Sequence, residues 1–523
     1  MDTSEFIYII GMNESRVKKG ILNAKINFLF YFVNIIIAFF SRKIFLETLG
    51  AEFIGLSGTL QNILGMLSLA ELGIGASVSF HLYKPIRESN YTELNDKISL
   101  FGWLYRIVGI FILLAGIIIS LFFPIIFKNT DIHLPLTYFV FFSFLGSSLI
   151  YYFINYRQIL LSADQKQYVV SVYLQTGMVA KTLVQMFCCY YFLNYYLWAI
   201  IEFLFAIIAC LILNVKIDKT YPWLKVTPSC GKVLYKKYPS ILTSTRQIFI
   251  HKLKDFLLGQ SDQILIFAFV SLKYVAYYGN YSMLISRVTS LFTVVMNSAE
   301  AGVGNLVAEG DMKKIKSVFW ELMSMRYLFA GIISVCLYFM IPPFIVVWLG
   351  SEYLLSPFVT FLICLNAFIL MSRTAVDAFN HAYGQYADVW SAWAEGGTNL
   401  LVTIVVASQV GIAGILLGKI VSLFFFVILW KPYYLFSDGF HEKYWNFWKH
   451  TLKYYLCLLL SLGIICLADE YRPMSPSAGW GQLIFYGLYI CSIFSVFYFC
   501  ILYFFSEGLK EFSARMFKQI LKK

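Results

Sequence analysis

Long apolar segments separated by short polar ones recur along the whole chain. Most hold about 20 residues or more, enough for an α-helix to cross the roughly 30 Å of hydrocarbon in a bilayer. Apolar residues run continuously in these segments instead of alternating with polar ones, which indicates helices and not the strands of a barrel. We predict fourteen spans, at 21–46, 53–83, 98–124, 135–161, 168–192, 196–215, 240–270, 275–308, 318–349, 354–383, 389–409, 412–432, 451–468 and 479–504.

The composition supports this interpretation. Hydrophobic residues make up 59% of the chain and charged residues 13%, with a mean hydropathy of +0.71. A soluble domain of this length could not bury so much apolar surface. The chain begins with the acidic stretch MDTSEF, so we expect no cleavable signal peptide. The predicted fold class is an all-α integral membrane protein.

The net charge of +12 is distributed unevenly between the two sides of the predicted membrane. If the N-terminus is cytoplasmic, about 24 lysines and arginines lie on that side, against 5 on the other. This positive-inside bias predicts that both termini are cytoplasmic. It also accounts for the basic charge without a nucleic-acid partner.

A short motif recurs in corresponding predicted helices. AELGIG at 70–75 is similar to AEAGVG at 299–304, and SVYLQTG at 171–177 to SAWAEGG at 391–397. Chance similarity in a biased composition is the alternative to a repeat. A repeat predicts two six-helix bundles related by a pseudo-two-fold axis along the membrane normal. The predicted domains are a first bundle, a basic cytoplasmic linker, a second bundle, two additional helices and a basic amphipathic cytoplasmic tail, at 1–216, 217–239, 240–432, 433–505 and 506–523.

Charged side chains at membrane depth are costly, so they usually face a cavity or a partner. They are densest in the predicted seventh span. That cluster can be either the cationic wall of a water-filled cavity or a group of mutually neutralising charges that joins two helices. We select seven candidates for substrate binding: Arg287, Lys254, His251, Lys252, Asn280, Lys25 and Lys181. We select six for gating or coupling: Glu71, Glu300, Asp255, Asp262, Arg373 and Asp377.

Some of these candidates also have plain structural interpretations. Glu71 and Glu300 can close the cytoplasmic side through loop lysines, or Glu71 can belong to a tightly packed small-residue stripe. Arg373 and Asp377 are four residues apart, as in a helical salt bridge. Lys181 can form a helix pair, and Lys25 can be an anchor at the cytoplasmic end.

Other classes of site lack a signal in the sequence. The ten cysteines include no C-x-x-C pair, and the histidines have no metal-ligand spacing, so neither metal nor cofactor is expected. GILLGKIV at 414–421 has three residues between its glycines where a phosphate-binding loop needs four. Gly414 and Gly418 are instead expected to form a close helix contact. The short connections could not hold a catalytic domain, and we expect no enzyme.

The segment LGAEFIGLSGTLQNILGMLSLAELGIGASVSFHLYKPI resembles the second-helix region of bacterial polysaccharide exporters, the Wzx-type flippases of the MOP superfamily. HKLKDFLLGQSDQILI and YYGNYSMLISRVTSLF resemble the family's seventh and eighth helices. Residues at matching positions are His251, Lys252, Asp262, Tyr281 and Asn305. Lys254 and Asp255 depart from the small residues expected there, which leaves a family-wide role for those two in doubt.

The resemblance implies a flippase in the bacterial cytoplasmic membrane. Its substrate would be an undecaprenyl-diphosphate-linked oligosaccharide, moved by alternating access without ATP hydrolysis for surface polysaccharide synthesis. Its partners would be the lipid bilayer and, further, a polysaccharide polymerase or export machinery. Two alternatives remain: a cation-coupled small-molecule or drug exporter of the same superfamily, and a membrane-embedded polymerase or acyltransferase.

Overall fold

The computed structural model describes residues 16–71, 74–241, 245, 262–300, 302–385 and 389–521. These residues form α-helices with short 3-10 and π-helical turns, and no strand occurs among them. The predicted fold class is confirmed: the chain is an all-α membrane protein. Every predicted span except the seventh, most of which lies outside the described residues, falls on one or more helical elements.

Twenty helices follow one another along the described chain. In the first half they are α1 (Arg16–Leu67), α2 (Ile74–Arg87), α3 (Tyr91–Ser120), α4 (Phe123–Ile126), α5 (Leu134–Phe153), α6 (Ile159–Ala163), α7 (Gln167–Phe192), α8 (Tyr195–Thr220) and α9 (Gly231–Lys237). In the second half they are α10 (Leu272–Glu300), α11 (Val303–Glu309), α12 (Met312–Trp348), α13 (Pro357–Ser372), α14 (Thr374–Ala382), α15 (Val389–Val410), α16 (Ile412–Leu423), α17 (Lys431–Tyr434), α18 (Trp445–Glu470), α19 (Trp480–Phe505) and α20 (Glu507–Leu521).

Nine helical segments of the described chain are long and apolar enough to cross a membrane, so the count of fourteen is not confirmed. One of the nine, Ile21–Leu67, contains the first predicted span and the first half of the second. The fifth, eighth and eleventh predicted spans are helices α7, α10 and α15, but they are not among the nine. Polar side chains lower their hydropathy, for example Gln175 in α7, Asn280 in α10 and Glu395 in α15.

Helix α1 contains a sharp backbone break at Gly50. Its φ of 81° and ψ of 162° lie outside the helical region, in a conformation that glycine adopts without a Cβ clash. The second predicted span is not one continuous helix either. It passes from α1 into a 3-10 turn, Ser68–Glu71, and α2 is described from Ile74.

In both copies of the repeated motif, one helical element is described as far as the glutamate and the next begins three residues later. In the first copy Glu71 ends the 3-10 turn and α2 begins at Ile74. In the second copy α10 ends at Glu300 and α11 begins at Val303. Glycine weakens a helix by about 1 kcal/mol relative to alanine, so paired glycines in both motifs favour an interruption there.

The described chain divides into two compact units. The first comprises residues 1–267 and 271–276, and the second comprises 268–270 and 277–523. This division lies later in the chain than the predicted linker at 217–239. That segment packs against the start of α3, where the amides of Lys225 and Thr227 donate to the side chains of Asn95 and Ser99, each at 2.9 Å. The segment is therefore part of the first unit instead of a free connection.

In the second unit, α15 and α16 approach each other through glycines. A Cβ added to Gly414 would lie 2.6 Å from the backbone of Ala407, and one added to Gly418 would lie 2.3 Å from the hydroxyl of Thr403. The predicted small-residue helix contact is confirmed. It brings two backbones closer than any larger residue would permit.

The tail forms helix α20, as its amphipathic pattern indicates, and its first turns dock onto α12. Gly508 lies against the carbonyl of Trp320, and the hydroxyls of Ser506 and Ser324 lie 2.7 Å apart. Arg515 forms an ion pair with Glu321. These contacts hold the beginning of the tail against the second unit.

Candidate functional site

Glu71 is the acidic residue that the first unit holds in a polar and aromatic cavity. The hydroxyl of Tyr152 donates to its Oε2 at 2.7 Å, and the hydroxyl of Tyr105 donates to its Oε1. The tyrosines belong to α3 and α5, and Glu71 ends the turn after α1, so three elements meet at this carboxylate. The two tyrosine rings lie 5.4 Å apart.

A cavity of about 220 Å³ opens beside Glu71. Its lining combines one carboxylate with aromatic rings, hydroxyls and side-chain amides: Gly75, Ser79, Phe101, Tyr105, Tyr151, Tyr156, Gln158, Ile159, Ser162, Gln167 and Val170 complete it. Among the described residues, no lysine or arginine lines the cavity. Such a cavity can accept a proton, a cation or a ligand rich in hydroxyl groups.

The structure changes one expectation about Glu71. Its hydrogen-bond donors among the described residues are tyrosines, and not the loop lysines that the sequence suggested. Neither tyrosine could be identified from the sequence, because Tyr105 and Tyr152 are ordinary aromatic residues of apolar helices. Glu300 occupies the matching helix end in the second unit, and its side chain lies outside the described part of the structure.

Lys181 of α7 forms an ion pair inside the first unit. Its Nζ lies 2.6 Å from Oε1 of Glu202 on α8, and the Gln185 amide donates to Oε2 of the same carboxylate at 3.3 Å. The expected helix pair is confirmed. Because Glu202 neutralises Lys181, this lysine is a weaker candidate for binding an anionic substrate than the sequence alone suggested.

Three asparagines of α1 join that helix to α7. The side chain of Asn23 accepts a bond from the Tyr168 amide at 2.6 Å, and Asn27 accepts one from the Ser171 hydroxyl at 3.0 Å. Asn34 donates to Gln175 Oε1 at 2.8 Å. The three asparagines are four and seven residues apart, which places them on one face of the helix. The sequence analysis did not use this pattern. Lys25 lies on another face of α1 and is exposed.

Arg287 and Asn280 lie on one face of α10, seven residues apart. Asn280 is fully buried, so it does not line an open cavity. Arg287 is half-buried near the middle of the helix. Of these two predicted substrate contacts, the arginine is therefore the one that a ligand can reach.

A second arginine of the second unit escaped the sequence analysis. Arg326 of α12 is 1% exposed, and its guanidinium carbon lies 5.2 Å from the centre of the Phe292 ring on α10. A buried arginine within a membrane-spanning helix is uncommon and usually has a specific role. The signal in the sequence was a lone basic residue near the middle of an apolar run.

Most of the charged cluster predicted in the seventh span lies outside the described part of the structure. His251, Lys252, Lys254 and Asp255 lie outside the described residues, whereas Asp262 is described and buried. Next to it, Gln263 accepts a hydrogen bond of 2.7 Å from Asn62 of α1.

Arg373 and Asp377 form the expected ion pair. Their Nε and Oδ2 atoms lie 3.2 Å apart at the junction of α13 and α14, and both side chains are partly exposed. Among the described residues no group of three metal-ligating side chains comes close enough to hold a metal ion.

Asp164 ties three helix ends together where predicted cytoplasmic connections meet. It accepts from Lys19 at 3.0 Å, from Lys166 at 2.7 Å and from the Tyr221 hydroxyl at 2.8 Å. Burial by itself would raise the pKa of Asp164. The hydrogen bonds from Lys166, Lys19 and Tyr221 outweigh burial and hold the pKa below its usual value.

No protein-family model and no curated protein matches the chain. Solved structures match it in fold. The structure of "Lipid II flippase MurJ, inward closed conformation" is 15% identical, covers 92% of this chain and 99% of its own, and has a TM-score of 0.62. An inward-facing multidrug resistance MATE family transporter of the MOP superfamily is 13% identical, covers 77% and 95%, and has a TM-score of 0.54. A MATE transporter of Vibrio cholerae is 13% identical, covers 82% and 99%, and has a TM-score of 0.50.

Proposed function

We propose that this multi-pass membrane protein, which has the fold of MOP-superfamily transporters, is a flippase for undecaprenyl-diphosphate-linked oligosaccharides. It would move these repeat units across the bacterial cytoplasmic membrane for surface polysaccharide synthesis. The sequence resemblance to Wzx-type exporters supports this substrate class. A solved structure of similar fold is named as a lipid II flippase, which supports a lipid-linked substrate.

The observation that carries the proposal is the position of Arg287. It is a cation near the middle of a long helix, and it is only half-buried, so a ligand can approach it. A diphosphate carries at least two negative charges and needs a cation wherever water is scarce. A guanidinium at membrane depth suits such a headgroup.

The Glu71 cavity would serve a different step of the same cycle. Its carboxylate lies in the first unit at the end of an interrupted helix, between tyrosines of α3 and α5. A change in the charge of Glu71 would alter how these elements hold together. We therefore retain Glu71 as a gating or coupling residue and do not place it among the substrate contacts.

A second candidate function is a cation-coupled exporter of small cationic molecules. The fold shared with MATE transporters favours it, and so does the cavity beside Glu71, whose aromatic and carboxylate lining would suit a compact cation. The two functions require opposite charges at the substrate site. A transport assay with each kind of substrate therefore distinguishes the two functions.

The experiment uses the purified full-length protein in liposomes that contain a fluorescent lipid-linked oligosaccharide diphosphate in both leaflets. If the proposal holds, membrane-impermeant quenching or enzymatic labelling reaches the inner-leaflet pool faster than in protein-free liposomes. A parallel assay measures uptake of ethidium, a compact organic cation, under a proton or sodium gradient. Cation transport without movement of the lipid-linked substrate would replace the flippase with the exporter.

A further inference from the structure

Four lysines project from the end of α8 and from the connection that follows it up to residue 238. Lys219, Lys225, Lys232 and Lys236 are all exposed, and none forms an ion pair with a described residue. We call these four the lysine platform. The nearby carboxylate of Asp218 does not neutralise them, because it binds the guanidinium of Arg157 at 2.6 Å.

The backbone that carries the lysine platform is fixed to the start of α3. Besides the two amide bonds to Asn95 and Ser99, Lys237 forms an ion pair of 2.6 Å with Asp96, which also accepts from the Tyr238 hydroxyl at 3.1 Å. Gly231 lies so close to Trp103 that an added Cβ would be 2.2 Å from its side chain. The charges are thus presented by a built surface and not by a loose connection.

Apolar side chains share the outward face with the lysines. Val233 is 72% exposed, and Tyr235, whose ring centre lies 6.0 Å from that of Trp103, is 44% exposed, whereas Leu234 and Gly231 are buried. Exposed apolar residues beside unpaired lysines are the pattern of a segment that lies in the headgroup region of a membrane.

The helices on either side of the lysine platform place this surface at the membrane boundary. The connection leaves α8 at Thr220 and packs on the start of α3 at Tyr91, and both helices are long and apolar enough to span a bilayer. Trp223 lies against Tyr91 with ring centres 4.4 Å apart, and such aromatic pairs are enriched at the level of the headgroups. The charge asymmetry of the chain predicts that this is the cytoplasmic boundary.

We propose that the lysine platform, with Val233 and Tyr235, binds the anionic phospholipid headgroups of the cytoplasmic leaflet. The four ammonium groups contact headgroup phosphates while the two apolar side chains enter the boundary of the acyl chains. Clusters of four or more basic residues next to a membrane helix attract anionic lipids by roughly fivefold in affinity for each charge. This binding does not depend on which substrate the protein transports.

The test is native mass spectrometry of the purified full-length protein, released from detergent after titration with phosphatidylglycerol or phosphatidylcholine. We expect the natural protein to retain phosphatidylglycerol in preference. Replacing the platform by Lys219→Gln, Lys225→Gln, Lys232→Gln and Lys236→Gln together should lower its affinity for phosphatidylglycerol by about tenfold or more. The corresponding four Lys→Arg changes keep the charge and should keep most of the binding.

The matched control removes the same charge elsewhere. Lys313, Lys443, Lys449 and Lys510 are exposed lysines of the second unit on the same predicted side of the membrane. Their joint replacement by glutamine should lower phosphatidylglycerol binding less than the platform variant does, because the platform lysines are combined with the exposed side chains of Val233 and Tyr235. An equal loss in both fourfold variants, or no loss in the platform variant, would overturn the proposal. A melting temperature unchanged from the natural protein confirms that each variant is folded.

Discussion

At the scale of single residues, the carboxylate of Glu71 shows how an acid is kept inside an apolar bundle. A charged group out of water must recover the hydrogen bonds that it gave up, and here two phenol hydroxyls supply them. Tyrosine suits this task because its ring packs with apolar neighbours while its hydroxyl reaches the acid. The arrangement holds Glu71 without the positive charge of a lysine.

Tyr105→Phe removes one of these two donors and keeps the ring. We expect it to lower the stability of the protein by about 1.5–3 kcal/mol, the usual contribution of a hydrogen bond to a charged group. Thermal unfolding of the detergent-purified protein measures the change. Tyr151→Phe is the control, because Tyr151 lines the same cavity but binds Gln158 and not Glu71. Equal effects of both changes would contradict the assigned role of Tyr105.

Arg287→Ala removes the cation proposed to bind the diphosphate. We expect transport of the lipid-linked substrate in liposomes to fall about tenfold or more, since charge-assisted hydrogen bonds are lost. Arg287→Lys should retain part of it, because a point charge still binds phosphate without the guanidinium fork. Lys273→Ala is the control, since Lys273 lies in the first turn of the same helix. Normal transport by a well-expressed Arg287→Ala protein would remove this residue from the site.

At the scale of helices, close contacts and interruptions are set by small residues. Gly418 lets α16 approach α15, whereas Gly50 lets α1 bend. A glycine therefore has opposite roles according to whether another backbone lies against it. Gly463 of α18 provides the contrast, because no atom lies within 4 Å of where its Cβ would be.

Gly418→Ala should destabilise the protein by about 1–3 kcal/mol, because the new methyl group would meet Thr403 and the carbonyl of Asn399. Gly463→Ala should leave stability unchanged or raise it by up to about 1 kcal/mol through helix propensity. Comparing the two melting temperatures in one detergent measures the difference. If Gly418→Ala is as harmless as Gly463→Ala, the two helices are not in close contact there.

At the scale of the whole molecule, the uneven distribution of basic residues predicts the orientation in the membrane. Lys313 and Lys316 should be cytoplasmic and Arg472 external. Of cysteines placed at Lys313 and Arg472, the one at Arg472 should then react with an impermeant maleimide added to intact cells, and the one at Lys313 should react only after the membrane is permeabilised. Labelling of the Lys313 position from outside would reverse the orientation. It would also move the lysine platform to the other leaflet.

The sequence by itself determined the fold class and the positions of most helices, because apolar runs of membrane length have few alternative structures. It also located Glu71, Arg287 and the contact at Gly418, since a charge or a paired glycine stands out in an apolar run. Local pattern was sufficient for each of these. The same pattern located the ion pair of Arg373 and Asp377, whose partners are one helical turn apart.

Only the tertiary structure decided which side chains meet across distant helices. Glu71 binds tyrosines that lie 34 and 81 positions away, and Lys181 is neutralised by Glu202 on the next helix. The basic, proline-containing segment at 217–239 has the composition of a linker, yet Asn95, Asp96 and Ser99 hold it against α3. The composition of a segment shows which structures it can adopt. Its contacts depend on packing between residues that are far apart in the chain.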